Sequence, residues 1–195
     1  MIKLINGDIF DQQYRNSQTC IVHQCNCIAA IPHGLSKNIA DQFGSYANTY
    51  ERRRKLSRNI AVVHDRPIPG SIDFCDGSPH VVALFAQFLF GKPPSSVKYK
   101  FTDSHINKGI AKDTEENRLR YFERALTNFK KYLIQRNNNI SGNDTIDTIV
   151  FPYNIGCGLA GGKWKNYRKK IKNFARKLQD ADEQRKYTIL IIRKE

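Results

Sequence analysis

The chain has 195 residues, 40% of them hydrophobic and 26% charged, which suits one packed domain and excludes a disordered or fibrous chain. Its 32 basic and 18 acidic residues leave a net charge of +14, which draws polyanions, and its apolar runs are too short to span a bilayer. Five cysteines cannot all pair and no secretory leader opens the sequence, so a disulfide-free protein of a reducing intracellular compartment, cytoplasmic or nuclear, is expected.

In chain order, a first strand is closed by Gly7-Asp8-Ile9. The run Thr19-Cys20-Ile21-Val22-His23-Gln24 reads as a second strand, emptying through Cys25-Asn26-Cys27 into Ile31-Pro32-His33-Gly34-Leu35-Ser36, after which a helix runs towards Phe43-Gly44. The basic run Arg52-Arg53-Arg54-Lys55 reads as a solvated face. A central strand follows in Val81-Val82-Ala83-Leu84-Phe85-Ala86-Gln87. Residues 90–112 contain Gly91 and Pro93-Pro94 and read as a long surface loop, either a cover for a ligand cleft or an insertion without catalytic purpose.

Asp113-Thr114-Glu115-Glu116 then has the form of a capping box, and Leu119, Phe122, Leu126, Phe129 and Leu133 predict a helix through to Gln135. Residues 137–143 read as a plain connector. A β-rich run from Thr148 to Pro152 leads into the glycine loop, whose helix carries Tyr167, Ile171, Phe174 and Leu178 on one stripe. Residues 187–192 form a closing strand. Both helical stripes are assigned to the core.

The stretch Ile155-Gly156-Cys157-Gly158-Leu159-Ala160-Gly161-Gly162-Lys163-Trp164 is the most informative. Glycines let successive N–H groups turn towards one point, and a helix N-terminus adds partial positive charge there, so the expected ligand is an anion such as a phosphate. The spacing matches neither G-x-x-x-x-G-K-[ST] nor G-x-G-x-x-G. The Asn26–Ser36 segment forms a second strand–loop–helix unit, and in an open α/β sheet two such loops meet beyond the carboxyl ends of the strands.

On these stretches the chain resembles the macro domain, the ADP-ribose-binding module, over essentially its whole length. The resemblance implies a three-layer α/β/α sandwich with a mixed central sheet, one domain spanning residues 1–195, and a cleft between the Asn26–Ser36 and Asn154–Gly162 loops. It implies that Asp8 and the backbone of Ile9 receive adenine and that Asn26 faces the distal ribose. Gly34, Leu35, Asn154, Gly156, Cys157, Gly158 and Leu159 would grip the diphosphate and ribose. The rival for Asp8 is a turn or cap, and for Asn26 turn chemistry.

The branch of that family that removes ADP-ribose from acidic side chains is similar except at two places, where Gln87 stands for a lysine and Ala160 for an aspartate. Without that amine and carboxylate its chemistry is not expected, although Lys92 is a nearby amine. The Gly-Cys-Gly-Leu-Ala-Gly-Gly-x-Trp pattern is closer to the ADP-ribose 1''-phosphate phosphatase branch. Removing a terminal phosphate there would fall to His33, Asn26 and Ser36 with the loop amides, His33 being the group to protonate a leaving oxygen or orient water. The rival for His33 is a loop histidine that only bonds backbone.

His23, Cys25 and Cys27 alternate onto one strand face, but zinc wants four ligands and the other cysteines form no second pair, so buried apolar fillers are expected and no metal or redox cofactor is required. Three functions follow. The first is a hydrolase of a terminal ADP-ribose derivative such as ADP-ribose 1''-phosphate, the second a non-catalytic reader of ADP-ribose, poly(ADP-ribose) or ADP-ribosylated protein, and the third a basic module for nucleic acid. A membrane partner is not expected.

Overall fold

A computed structural model describes residues 2–93, 113–140 and 144–194. Six strands form one sheet: β1 (Ile2–Asn6), β2 (Thr19–Asn26), β5 (Ile72–Cys75), β6 (His80–Gln87), β7 (Thr148–Pro152) and β8 (Thr188–Arg193). Their order is β1-β8-β7-β2-β6-β5, parallel throughout except for β5, which runs antiparallel to β6 at the edge. A short hairpin of β3 (Lys55–Ser57) and β4 (Ile60–Ala61) stands apart, and neither it nor β5 is legible in the sequence pattern.

Both faces of the sheet are covered, which is why its strands read as continuous apolar runs. On one face Val22, Val82, Leu84, Ile149, Phe151, Ile189 and Ile191 pack under α2 (Glu115–Asn139) and α3 (Trp164–Ala181). Phe122, Phe129 and Leu133 of α2 and Tyr167, Ile171, Phe174 and Leu178 of α3 fill that layer, as the two stripes require. On the other face Ile21, Val150, Leu190 and Ile192 meet Ile9 and Tyr14, and Val81 meets Ile39 of α1 (Leu35–Phe43). The result is the expected three-layer α/β/α sandwich with a mixed sheet.

Two boundaries differ from the sequence reading. The N-cap of α2 is Thr114, whose Oγ1 accepts from Asn117 N at 3.2 Å, because the Asp113 carboxylate turns inward to a buried guanidinium instead of capping. The helix also runs four residues beyond Gln135. Buried Asn137 donates to Ile146 O at 2.8 Å and accepts from Ile146 N at 3.0 Å, so part of the expected connector is the last helical turn. Most of the expected 90–112 loop, and residues 141–143 of the connector, lie outside the described residues.

Candidate functional site

Where β2, β6 and β7 end, a cleft of about 270 Å³ opens between the segment entering α1 and the glycine loop after β7. It brings together Asn26, His33, Gly34, Leu35 and Ser36 from the first with Asn154, Gly156, Gly158 and Leu159 from the second. Asp8, Ile9 and Cys157 lie outside this lining.

The glycine loop is a coil of consecutive turns. Ile155 N donates to Pro152 O, Cys157 N to Asn154 O, Gly161 N to Gly158 O and Gly162 N to Gly156 O. Among the described residues no group accepts from the N–H of Gly156, Gly158, Leu159 or Ala160, all four of which line the cleft. Asn154 (φ 60°) and Gly156 (φ 73°) adopt the left-handed conformation that turns these amides. Gly156 is also pinned, since a Cβ there would lie 2.4 Å from Tyr167 Cε1 and 2.5 Å from Gln24 Oε1. Gly158 has open space beside it and a φ outside the left-handed range, so nothing in the fold demands a glycine there.

Opposite, Gly34 (φ 55°) starts α1 with no side-chain cap, and the N–H groups of Gly34, Leu35 and Ser36 find no acceptor among the described residues. Two sets of free amides, one on a helix N-terminus, thus border the same cleft. Ser36 Oγ donates to His33 O at 2.8 Å and accepts from His33 N at 3.1 Å, which commits the hydroxyl to holding the loop. The His33 side chain itself is exposed at the cleft. Asn26 Oδ1 accepts from Ala29 N at 2.7 Å, so the turn role expected as its rival is real, while Asn26 N and Nδ2 both face Tyr50 Oη at 3.2 and 3.4 Å.

Several residues that shape the cleft went unread in the sequence. Arg53 belongs to the basic run taken as a solvated face. Its Nη1 instead donates to the carbonyls of Asn26, Cys27 and Ala29 at 3.2, 3.3 and 2.7 Å, and its guanidinium lies over the Tyr50 ring. A position inside a charge run hides such a role. Arg118, 1% exposed, pairs with Asp113 and donates from Nη1 to Gly91 O and Ala160 O at 2.6 and 3.0 Å. Asp113 in turn accepts from Phe88 N and Leu89 N. This pair ties the end of β6 to the glycine loop. Its signal was present, because Arg118 stands one turn before Phe122 on the buried stripe.

Gln87 lines the cleft and accepts from Gln24 Nε2 at 2.7 Å while donating to Leu89 O, and Ala160 lines it through its backbone. Lys92 lies beside Gly161 and is not in the lining. Among the described residues the lining contains no carboxylate, amine or guanidinium, and His33 is its one imidazole. A larger concavity of about 840 Å³ runs along β5 and is lined by side chains of both charge signs.

Asp8 follows β1, separated from β2 by β8 and β7. Its Oδ1 accepts from Phe10 N at 3.1 Å and its Oδ2 pairs with Lys194 at 2.7 Å. Burial alone would raise this carboxyl's pKa, but the Lys194 contact and the loop N–H bonds outweigh it and hold the pKa below the ordinary value. Ile9 is buried against Tyr14 and Ile192, so its side chain belongs to the core. Cys157 Sγ donates to Ile155 O at 3.3 Å. Cys20, Cys25 and Cys27 are buried; Cys25 Sγ lies 3.4 Å from His23 Nδ1, and no metal-sized cluster of ligands occurs among the described residues.

No protein-family profile and no curated protein sequence matches the chain. Solved structures do. A mutant form of the Oceanobacillus iheyensis macrodomain superposes over 100% of this chain and 84% of its own, with 12% identity and a TM-score of 0.60. The Trypanosoma brucei macrodomain in complex with ADP-ribose matches 98% of this chain and 63% of its own, with 10% identity and a TM-score of 0.58. The macro domain of ganglioside induced differentiation associated protein 2 matches 98% and 76% respectively, with 12% identity and a TM-score of 0.55. With its sheet order, its two amide-bearing loops and these neighbours, the chain has the macrodomain fold.

Proposed function

We propose that the cleft binds ADP-ribose or a terminal ADP-ribose derivative. The observation that carries this is the pair of facing amide sets, Gly156, Gly158, Leu159 and Ala160 against Gly34, Leu35 and Ser36, which together suit a diphosphate without any cationic side chain. The Trypanosoma brucei neighbour, a protein of the same fold, holds ADP-ribose. Asn26, at the end of β2, would meet a ribose hydroxyl, and exposed Leu159 and Phe90 would offer apolar cover.

The finer reading is hydrolysis of ADP-ribose 1''-phosphate. Water would attack the phosphorus as its bond to the ribose oxygen breaks, the loop amides would donate to the phosphate oxygens and His33 would give the departing ribose oxygen its proton, with Ser36 fixing the His33 backbone and Asn26 orienting the ribose. The absence of carboxylate and amine from the described lining supports a terminal phosphate over an acyl-linked ADP-ribose, since none of the described lining residues could form a covalent amine adduct or act as a carboxylate base. The same poverty of acid–base groups favours the second reading, a reader that binds without turnover. Phosphate release from ADP-ribose 1''-phosphate, measured beside ADP-ribose binding, separates the two. Release that falls with His33→Ala at unchanged affinity supports the phosphatase, and binding without release supports the reader.

A further inference from the structure

Behind the glycine loop, on the face of the sheet covered by α3, lies a second cavity of about 310 Å³. Its floor is apolar: Ile2 and Leu4 of edge strand β1 and Ile191 of β8, with Leu4 48% exposed. Its wall is aromatic. Tyr153 and Trp164 stand with ring centroids 4.9 Å apart, and the Arg193 guanidinium lies 4.3 Å over the Tyr153 ring. Its rim is cationic, with Arg168, Lys172 and Arg193 all exposed and none paired with a carboxylate among the described residues. Among the described residues no acidic side chain lines it.

Some cations on or beside α3 are paired. Lys163 pairs with Glu115, Lys170 with Glu123 and Arg176 with Asp180. Lys165, Lys169 and Lys177 are, like Arg168 and Lys172, without a carboxylate partner among the described residues, but only Arg168 and Lys172 of these border the groove. Trp164, Arg168 and Lys172 follow one another at four-residue intervals, so they form a line with a step of roughly 6 Å along the axis. An aromatic platform that continues into a row of unpaired cations matches a polymer with flat bases and regularly spaced phosphates. The sequence pattern concealed the other half of it, because only folding sets Tyr153 and Arg193 beside Trp164.

We infer that this groove is a binding site for single-stranded nucleic acid, with a base against Trp164 and Tyr153 and the backbone phosphates on Arg168, Lys172 and Arg193. It is separate from the ADP-ribose reading: it uses the opposite side of the glycine loop, and only Tyr153 borders both cavities. Charge excess alone would bind such a strand anywhere on the surface. The groove adds a place where a base is removed from water.

Trp164 is the single tryptophan of the chain, so tryptophan fluorescence comes from the wall of this groove. The test titrates the full chain with eight-nucleotide single-stranded RNA and DNA of one sequence, at several salt concentrations. Quenching that saturates supports the site, and the tighter of the two strands identifies the sugar. Three phosphate contacts give a slope of log affinity against log salt of about −2, and Arg168→Gln with Lys172→Gln should bring it to about −0.7. Affinity at low salt should fall roughly tenfold in that variant. Lys130→Gln with Lys177→Gln removes the same charge around a different pocket and should change affinity less than twofold. Three results overturn the inference: binding without quenching, equal loss in the two double variants, or displacement of the strand with recovery of fluorescence on adding excess ADP-ribose.

Discussion

Arg118 Nη2 and Asp113 Oδ2 lie 2.6 Å apart with their side chains 1% and 4% exposed, and through this pair the ends of two site loops are joined to one helix. A buried pair gives little over an apolar substitute, but removal of one partner strands the other charge. Arg118→Met leaves the Asp113 carboxylate uncompensated and frees Gly91 O and Ala160 O. The expected loss is about 3–5 kcal/mol in chemical denaturation. Arg118→Lys should recover only part of it, because an ammonium cannot reproduce the fork that reaches Asp113 and both carbonyls.

Gly156 and Gly158 separate fold from function. Gly156→Ala forces a side chain onto Tyr167 at a left-handed φ, with an expected cost on the order of 2–4 kcal/mol. Gly158→Ala meets nothing and should leave stability within about 0.5 kcal/mol. Its methyl group would nonetheless stand among free amides, so ADP-ribose affinity should fall at least roughly tenfold, the worth of one hydrogen bond to a charged group. Thermal unfolding and calorimetric titration of the same two proteins read both effects.

His33 is exposed, so His33→Ala should unfold at the same denaturant concentration as the parent chain. If the phosphatase reading holds, turnover of ADP-ribose 1''-phosphate falls roughly a hundredfold or more while ADP-ribose affinity stays within about threefold. Ser36→Ala should act through stability instead, since its hydroxyl holds only the His33 backbone.

Burial of His23 against the core depresses its pKa to about 4. The unfolded chain takes up this proton near pH 6.5 and the folded chain does not, so stability is complete above that pH and declines as pH falls from about 6.5 to about 4. The decline attributable to this residue is about 3 kcal/mol. His80, whose pKa burial and Arg136 also lower, acts in the same direction. Denaturation across that pH range should show a shallower slope for His23→Leu than for the parent chain.

The fold was legible because its physics is periodic. Strands buried on both faces leave uninterrupted runs such as Val81-Val82-Ala83-Leu84, and the two helices leave stripes that end in the core. The two cleft loops were legible because left-handed and crowded backbone demands glycine at positions such as Gly34 and Gly156. What remained hidden depends on partners distant in sequence. The helical stripe places Arg118 inward, but Gly91 and Ala160 reach it only through the fold, and Arg53 looks like a surface cation until three carbonyls of the β2 end turn towards it. Asn137 reads as a connector residue until Ile146 returns to its amide.

Calorimetric titration of the purified chain with ADP-ribose, alongside Gly158→Ala, tests the central claim most directly. Saturable one-site binding in the parent chain, weakened at least roughly tenfold in a variant of unchanged stability, is the predicted result. A folded parent chain that takes up no ADP-ribose, or a Gly158→Ala variant that binds it equally well, would contradict the assignment of the cleft.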